Sequence, residues 1–376
     1  MKRLKIKYEE ICTRKNVYTA FINASYRKRN RRAVKKIWRN LEFYVDEILN
    51  ILKTKSYIPS PYIEKKLYEG STHKERIIYK PKFYPDQIIH HCLMNIIEPY
   101  MHKRMYTYSC ASIKNRGIHY GVKHIKRTLG KDIKGTKYCF KLDIRKFYPS
   151  VDKVILKQKF KDFIKDKDIL DLINRIIDSH DKGLPIGNYT SQWFANFYLL
   201  DLDMDIMNEL RPNHYSRYAD DMVIFSSNKR KIHYIRDYVE RHLIEKENLI
   251  LKDNWQIFKT DSRPLDYLGY KFYKKNSKIK CNKETSNKLF TTLRGSIFLR
   301  ITRRTRKIYK KTTPTFHDAS TIMSYRGWYI HSNSRLFEKY YILPFIDFKQ
   351  MKEVIRKWQR QYLQKTQQKN MRLSVN

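Results

Sequence analysis

Apolar residues recur at three- and four-residue spacing along much of this chain, and short apolar runs separate the periodic stretches. Residues 16–53, through YRKRNRRAVKKIWRNLEFYVDEILNILK, hold the helical period and predict basic helix throughout. YIPSPYIEKKLYEGSTHKERIIYKPKFYPD reads as strand pieces broken by prolines. DQIIHHCLMNIIEPYMHKRM predicts a mostly buried helix ending near Pro99, in which the adjacent His90 and His91 point different ways and serve packing rather than a shared metal. KYCFKLDIRKFYPSVD is a strand that ends in an acid and aromatics, and residues 153–180 are helical. GLPIGNYTSQWFANFYLLDLDMDIMNEL is a Gly/Pro-opened loop feeding a long helix. HYSRYADDMVIFSS predicts a strand pair or hairpin, KIHYIRDYVERHLIEKENLIL an amphipathic helix, LDYLGYKFYKK a second hairpin, and the remainder basic helix. No repeat is visible. The order predicts an α+β fold, a sheet backed by helices in the middle and a basic helical unit at the end.

Charge adds a partner to this picture. The 376 residues hold 80 Lys+Arg against 37 Asp+Glu, a net of +43. Residues 271–376 carry 26 basic and 5 acidic residues, and residues 1–60 carry 16 and 5, so the ends are the most basic parts. Such charge is an electrostatic footprint for nucleic acid, and the abundant Tyr and Phe suit base stacking as well as a core. Five scattered cysteines (Cys12, Cys92, Cys110, Cys139, Cys281) form no C-x-x-C pair, which argues against a zinc knuckle and for reduced thiols. MKRLKIKYEE has no apolar signal-peptide core, and no run of about 18 apolar residues occurs. The expectation is a cytoplasmic protein that does not engage a membrane.

Against this background two adjacent carboxylates, Asp220 and Asp221, stand between strand-forming runs. A bare acid pair is more often a turn than a site. Along a strand the two side chains point to opposite faces, a constraint that a tight turn relaxes. Like charges this close repel unless a cation lies beside them, and a divalent metal resolves the conflict. Asp143 ends YCFKLD in the same apolar-strand-then-acid design. If the two strands are neighbours, three carboxylates converge on hard-cation chemistry: two Mg²⁺ ions (Mn²⁺ as a substitute) about 3.5–4 Å apart, clamping an in-line phosphoryl displacement.

These segments carry a family resemblance. YADD at 218–221 resembles the central motif of reverse transcriptases, and KLDIRKFYPSVD resembles their first palm motif, with Asp143 as a metal ligand. The resemblance implies that Tyr148 packs under the sugar of the incoming nucleotide. It implies that KERIIYKPKFYPD is the triphosphate-binding fingers strand, with Lys74 and Arg76 as its cations. YLGY resembles the primer-grip turn, Leu268 and Gly269. LPIGNYTSQWFANFYL departs from the usual Gln-Gly start and Ser-Pro end, having Ile186 before Gly187 and Gln192 after Ser191. That pattern is similar to diversity-generating retroelement (DGR) reverse transcriptases, which misincorporate opposite template adenines. Replacing a hydrogen-bonding glutamine by Ile186 removes a polar check on the base pair; alternatively Ile186 merely packs in the loop. SYRGWYIHSNS resembles a thumb motif of compact bacterial retroelement and defence enzymes. The N-A-x-x-H and V-T-G elements of retron enzymes and an H-N-H-like appendage are missing. The lysine that usually follows the palm helix has Lys252 as its nearest counterpart, with its role left open.

The resemblance therefore implies a right-hand polymerase: a basic N-terminal helical extension (1–55), fingers (56–137), a palm with antiparallel sheet (138–270, with a fingers insertion at about 153–183) and a basic helical thumb and tail (271–376). It implies RNA-directed, error-prone cDNA synthesis by an RNA-binding and DNA-binding nucleotidyltransferase. Template RNA, a cDNA primer–template duplex and dNTPs are the substrates, and a small basic helical accessory oligomer is the partner, in a bacterial or phage-infected cell. Three alternatives stand beside it: a defence-associated or other retroelement enzyme without adenine mutagenesis, a non-catalytic RNA-binding protein, and a palm-based nucleotidyl cyclase. Arg217 is expected to order the hairpin or bind backbone rather than react.

Overall fold

Among the described residues, strand-forming segments come together in three sheets. The computed structural model describes residues 3–69, 74–274, 289–311 and 313–373. They form two compact units, Met1–Gly121 with Lys134–Phe258, and Val122–Ile133 with Lys259–Asn376. No described helix is long and apolar enough to cross a membrane.

The first unit opens with α1 (Tyr8–Ile11), α2 (Arg14–Ser25), α3 (Arg32–Arg39) and α4 (Leu41–Lys53). The single basic helix expected over 16–53 is thus three. Val17, Ala20, Phe21 and Ala24 give α2 a buried stripe. YRKRNRR beyond it has five basic residues and nothing to continue the stripe, so like charges at helical spacing repel and the chain turns, with Arg27 at φ 58°. The hairpin β1 (Ile63–Glu69) and β2 (Lys74–Lys80) follows, paired from Ile63↔Lys80. Next comes α5 (Ile88–Arg104), which packs on α2. It runs past Pro99, where its end was expected, because Ile97 and Met101 are fully buried and offset the one backbone bond a proline removes. His90 is buried and His91 stacks on Tyr189, so both do pack. The helix α6 (Ile118–Lys131) follows, and from Val122 on its residues belong to the second unit.

The central sheet has the order β4-β5-β3-β6, formed by β3 (Tyr138–Leu142), β4 (His214–Tyr218), β5 (Asp221–Ser226) and β6 (Gln256–Lys259). Met222 to Phe225 are all fully buried, which is why β5 is continuously apolar rather than alternating. Between β3 and β4 lie α7 (Phe147–Ser150), α8 (Lys153–Phe163), α9 (Lys167–Asp178), α10 (Tyr189–Tyr198) and α11 (Leu200–Asp205). Asp152 and Asp166 cap α8 and α9 by accepting from two backbone amides each. The amphipathic helix appears as α12 (Lys229–Glu247), capped by Asn228, with Ile232, Ile235, Val239 and Leu243 buried where it packs on β3 and β5.

The second unit holds the sheet β7-β8-β9, from β7 (Leu265–Tyr267), β8 (Tyr270–Lys274) and β9 (Leu289–Leu293), then α13 (Gly295–Tyr309), α14 (Phe316–Tyr329), α15 (Arg335–Phe337) and α16 (Phe348–Leu373). β9 lies where only helix was expected: LFTTL has no helical stripe, and its β-branched and aromatic residues suit a pleated edge. SYRGWYIHSNS closes α14 onto this sheet, Asn333 and Thr291 exchanging two hydrogen bonds of 2.7 and 2.8 Å.

Candidate active site

β4 and β5 pair up to Tyr218↔Asp221, which leaves Ala219 and Asp220 as a two-residue hairpin turn. Ala219 sits at φ 55°, where a glycine is the usual choice and alanine costs about 1 kcal/mol or more. The turn is held from beneath. Arg217 is fully buried and donates through Nη1 to the Ala219 carbonyl at 3.2 Å and to Asn196 Oδ1 at 3.1 Å. Its Nε donates to Asp203 Oδ1 at 2.8 Å, and Tyr215 donates its hydroxyl to the same oxygen at 2.7 Å. The expectation that Arg217 orders the hairpin describes these contacts.

β3 is the other neighbour of β5, with Leu142 opposite Met222, so Asp143 leaves the sheet at the end where the turn lies. Its carboxyl comes close enough to share a hydrogen bond with that of Asp220. Burial, then the Asp143 charge, push the Asp220 carboxyl up to about 6, and Arg76 on β2 pulls it back down. Lys252 meets Asp143 twice: its amide donates to the Asp143 carbonyl at 2.9 Å and its Nζ lies 2.7 Å from Asp143 Oδ2. The neighbouring bond from Arg145 N to Ile250 O (2.9 Å) fixes this register. Tyr148, on α7, is pushed up to about 12 by burial and by Asp220, which places its hydroxyl in the field of the turn.

The structure thus brings together Asp143, Asp220, Arg76, Lys252 and Tyr148. Asp221 stands one residue further on, as the ladder partner of Tyr218. Among the described residues no three acids, histidines or cysteines form a group able to hold a metal by themselves. Two crowded carboxylates, one with a raised pKa, nevertheless fit a hard divalent cation. Mg²⁺ is commonly held by one or two carboxylates and completes its shell from water and substrate phosphate. Lys74 opens β2, and its side chain lies outside the described residues.

The loop with Ile186 and Gly187 docks on β2, where the Tyr79 amide donates to the Ile186 carbonyl at 2.8 Å. Ile186 is half-buried, and Gln192 is exposed on the first turn of α10. In the second unit, Leu268 (φ 54°) and Gly269 (φ 83°) form the β7–β8 turn. Leu268 is buried, and a Cβ on Gly269 would come within 2.8 Å of Ile297 and Trp328. Asp203 and Asn196, which support the turn through Arg217, were not foreseen. A buried acid inside LDLDMD looks like any helix-surface acid until its partner is known.

A helix-backed antiparallel sheet with paired acids at one strand end is the arrangement of a right-hand polymerase palm. Residues 72–272 match the family described as reverse transcriptase (RNA-dependent DNA polymerase), more than half of the chain, and the chain belongs to that family. The retron Ec73 reverse transcriptase of Escherichia coli is 31% identical over 183 residues, 45% of this chain and 55% of that protein. The chain therefore spans about half the length of this curated relative. A solved structure of apo telomerase from Candida tropicalis, truncated from the C-terminal domain, matches over 62% of this chain and 58% of that one, at 13% identity and a TM-score of 0.44.

Proposed function

We propose that the protein is an RNA-directed DNA polymerase whose site is organised by Asp143, Asp220 and Asp221. The observation that carries this reading is the meeting of Asp143 and Asp220 beside Arg76. The three carboxylates are the residues that would hold two Mg²⁺ ions. Bound Mg²⁺ supplies Lewis-acid activation of a primer 3′-hydroxyl and neutralises charge on the α-phosphate. Arg76 and Lys74 orient the triphosphate. Tyr148 lies under the sugar and excludes a 2′-hydroxyl. Lys252, positively charged at the Asp143 carboxylate, is placed to hold a proton for the departing pyrophosphate. Leu268 and Gly269 steady the primer, and the basic second unit grips the template–primer duplex. Primer extension on RNA tests the reading: Asp220→Ala with RNA binding retained and synthesis unchanged overturns it in favour of a non-catalytic RNA-binding protein.

The finer reading is error-prone synthesis of the DGR type, with Ile186 as the residue that relaxes selection, Gly187 and Gln192 completing the nucleotide pocket, and a small basic helical oligomer as partner. Sequencing of the cDNA tests it. Errors should concentrate opposite template adenines, and Ile186→Gln should reduce them severalfold; errors spread evenly over the four bases exclude it. A second reading, retron-type synthesis without adenine mutagenesis, is favoured by the likeness to the retron Ec73 enzyme.

A further inference from the structure

The loop bearing Ile186 is a bridge fastened at both ends by backbone. At one end the Leu184 amide donates to the Tyr148 carbonyl at 2.8 Å; at the other the Tyr79 amide donates to the Ile186 carbonyl at 2.8 Å. Five residues, Gly183 to Gly187, therefore link the tyrosine of α7 to the strand that carries Arg76. Each end of the bridge is a glycine at positive φ, 52° at Gly183 and 124° at Gly187. Neither has room for a side chain. A Cβ at Gly183 would overlap the Tyr148 carbonyl oxygen and stand 2.6 Å from the Pro149 carbonyl carbon and oxygen. These are all backbone atoms, which cannot swing aside as a flexible side chain does. A Cβ at Gly187 would stand 2.7 Å from the Tyr79 carbonyl oxygen instead. The two glycines thus press on different partners: Gly183 on the segment of Tyr148, Gly187 on the segment of Arg76.

We propose that Gly183 is a positioning residue for sugar selection. Its bare backbone lets the loop lie directly against Tyr148–Pro149, which sets the height of the Tyr148 ring in the nucleotide pocket. Gly183 acts through Tyr148 and does not touch the substrate. The inference rests on the reading of Tyr148 as the residue that excludes a 2′-hydroxyl. Displacing the ring in either direction lowers discrimination: outward it admits the ribose, inward it crowds the deoxyribose.

The test is kcat and KM for a dNTP and its matching rNTP on an RNA template, in wild type, Gly183→Ala, Gly183→Asn, Tyr148→Ala and Gly183→Ala/Tyr148→Ala. The ratio of the two kcat/KM values should fall by about tenfold in Gly183→Ala. Gly183→Asn should fall equally, because asparagine accepts positive φ but brings the same Cβ. Gly183→Ala should lower the ratio no further once Tyr148 is alanine. Recovery with asparagine, or kcat falling equally for both nucleotides with the ratio unchanged, overturns the inference. If Tyr148→Ala alone leaves the ratio unchanged, the sugar-selection reading itself fails. If Tyr148→Ala lowers the ratio and Gly183→Ala does not, only the role of Gly183 fails. Pro149→Gly, which loosens the same backbone without adding an atom, covers failure of the alanine variant to fold. Its ratio should also fall, and an unchanged ratio there overturns the proposal.

Discussion

Replacing Arg217 separates support of the fold from support of the turn that carries Asp220. Its guanidinium is fully buried, paired with a fully buried Asp203, and bonded to Asn196 and to the Ala219 carbonyl. In Arg217→Met the Asp203 carboxylate keeps only the Tyr215 hydroxyl among these donors. Breaking one side of a buried ion pair in this way costs about 3–5 kcal/mol. Arg217→Met with Asp203→Leu removes both charges, and such apolar replacement is often neutral or stabilising, so the double variant should recover most of the loss. It does not restore the donor to Ala219, which sits at positive φ and relaxes once unheld. Activity should therefore stay at least about tenfold down, the rate equivalent of one lost hydrogen bond near 1.4 kcal/mol. Urea denaturation reads the first quantity and single-turnover primer extension the second. A double variant that regains both stability and rate refutes the idea that Arg217 positions the turn.

Asp220→Asn should stabilise the metal-free protein while abolishing synthesis. The native carboxyl is held near pH 6 against an ordinary 3.8, so its ionisation weakens the fold; the penalty is absent below about pH 4 and complete above about pH 6. The rise from 3.8 to about 6 corresponds to at most about 3 kcal/mol, which urea denaturation in a chelator at pH 8 measures, with no difference expected at pH 4. Equal stability of the two proteins at pH 8 contradicts the burial of the Asp220 carboxyl beside Asp143. Gly187→Ala should displace β2, because its Cβ meets the Tyr79 backbone. Steady-state kinetics should show the KM for dNTP and rNTP rising together, by about tenfold, with the sugar ratio unchanged; a changed ratio means that the two ends of the loop are not independent.

The parts legible in the sequence are those whose signal is local. YADD between apolar runs announces a hairpin because a polar pair breaks the strand pattern, and Asp143 follows β3 directly as Asp220 directly precedes β5. The α+β order and the amphipathic α12 follow from periodicity. The break at YRKRNRR was hidden by the helical spacing on either side, since period alone does not register like-charge repulsion. Lys252 was left open in the sequence because its closeness to Asp143 depends on a β-bridge between Ile144 and Leu251, over a hundred residues apart. Asp203 and Asn196 were missed because burial of an acid or an amide is a tertiary fact. The tight seat of Gly183 on Tyr148 is likewise invisible until the loop and α7 are seen together.

In the proposed function Asp143 and Asp220 form one catalytic centre for nucleotide addition. Its most direct test is primer extension on a defined RNA with dNTPs and Mg²⁺, comparing wild type with Asp143→Asn and Asp220→Asn at matched RNA occupancy. Wild type should give cDNA and each variant should lose at least about a thousandfold, with RNA affinity unchanged. Full-length cDNA from either variant at the wild-type rate contradicts it.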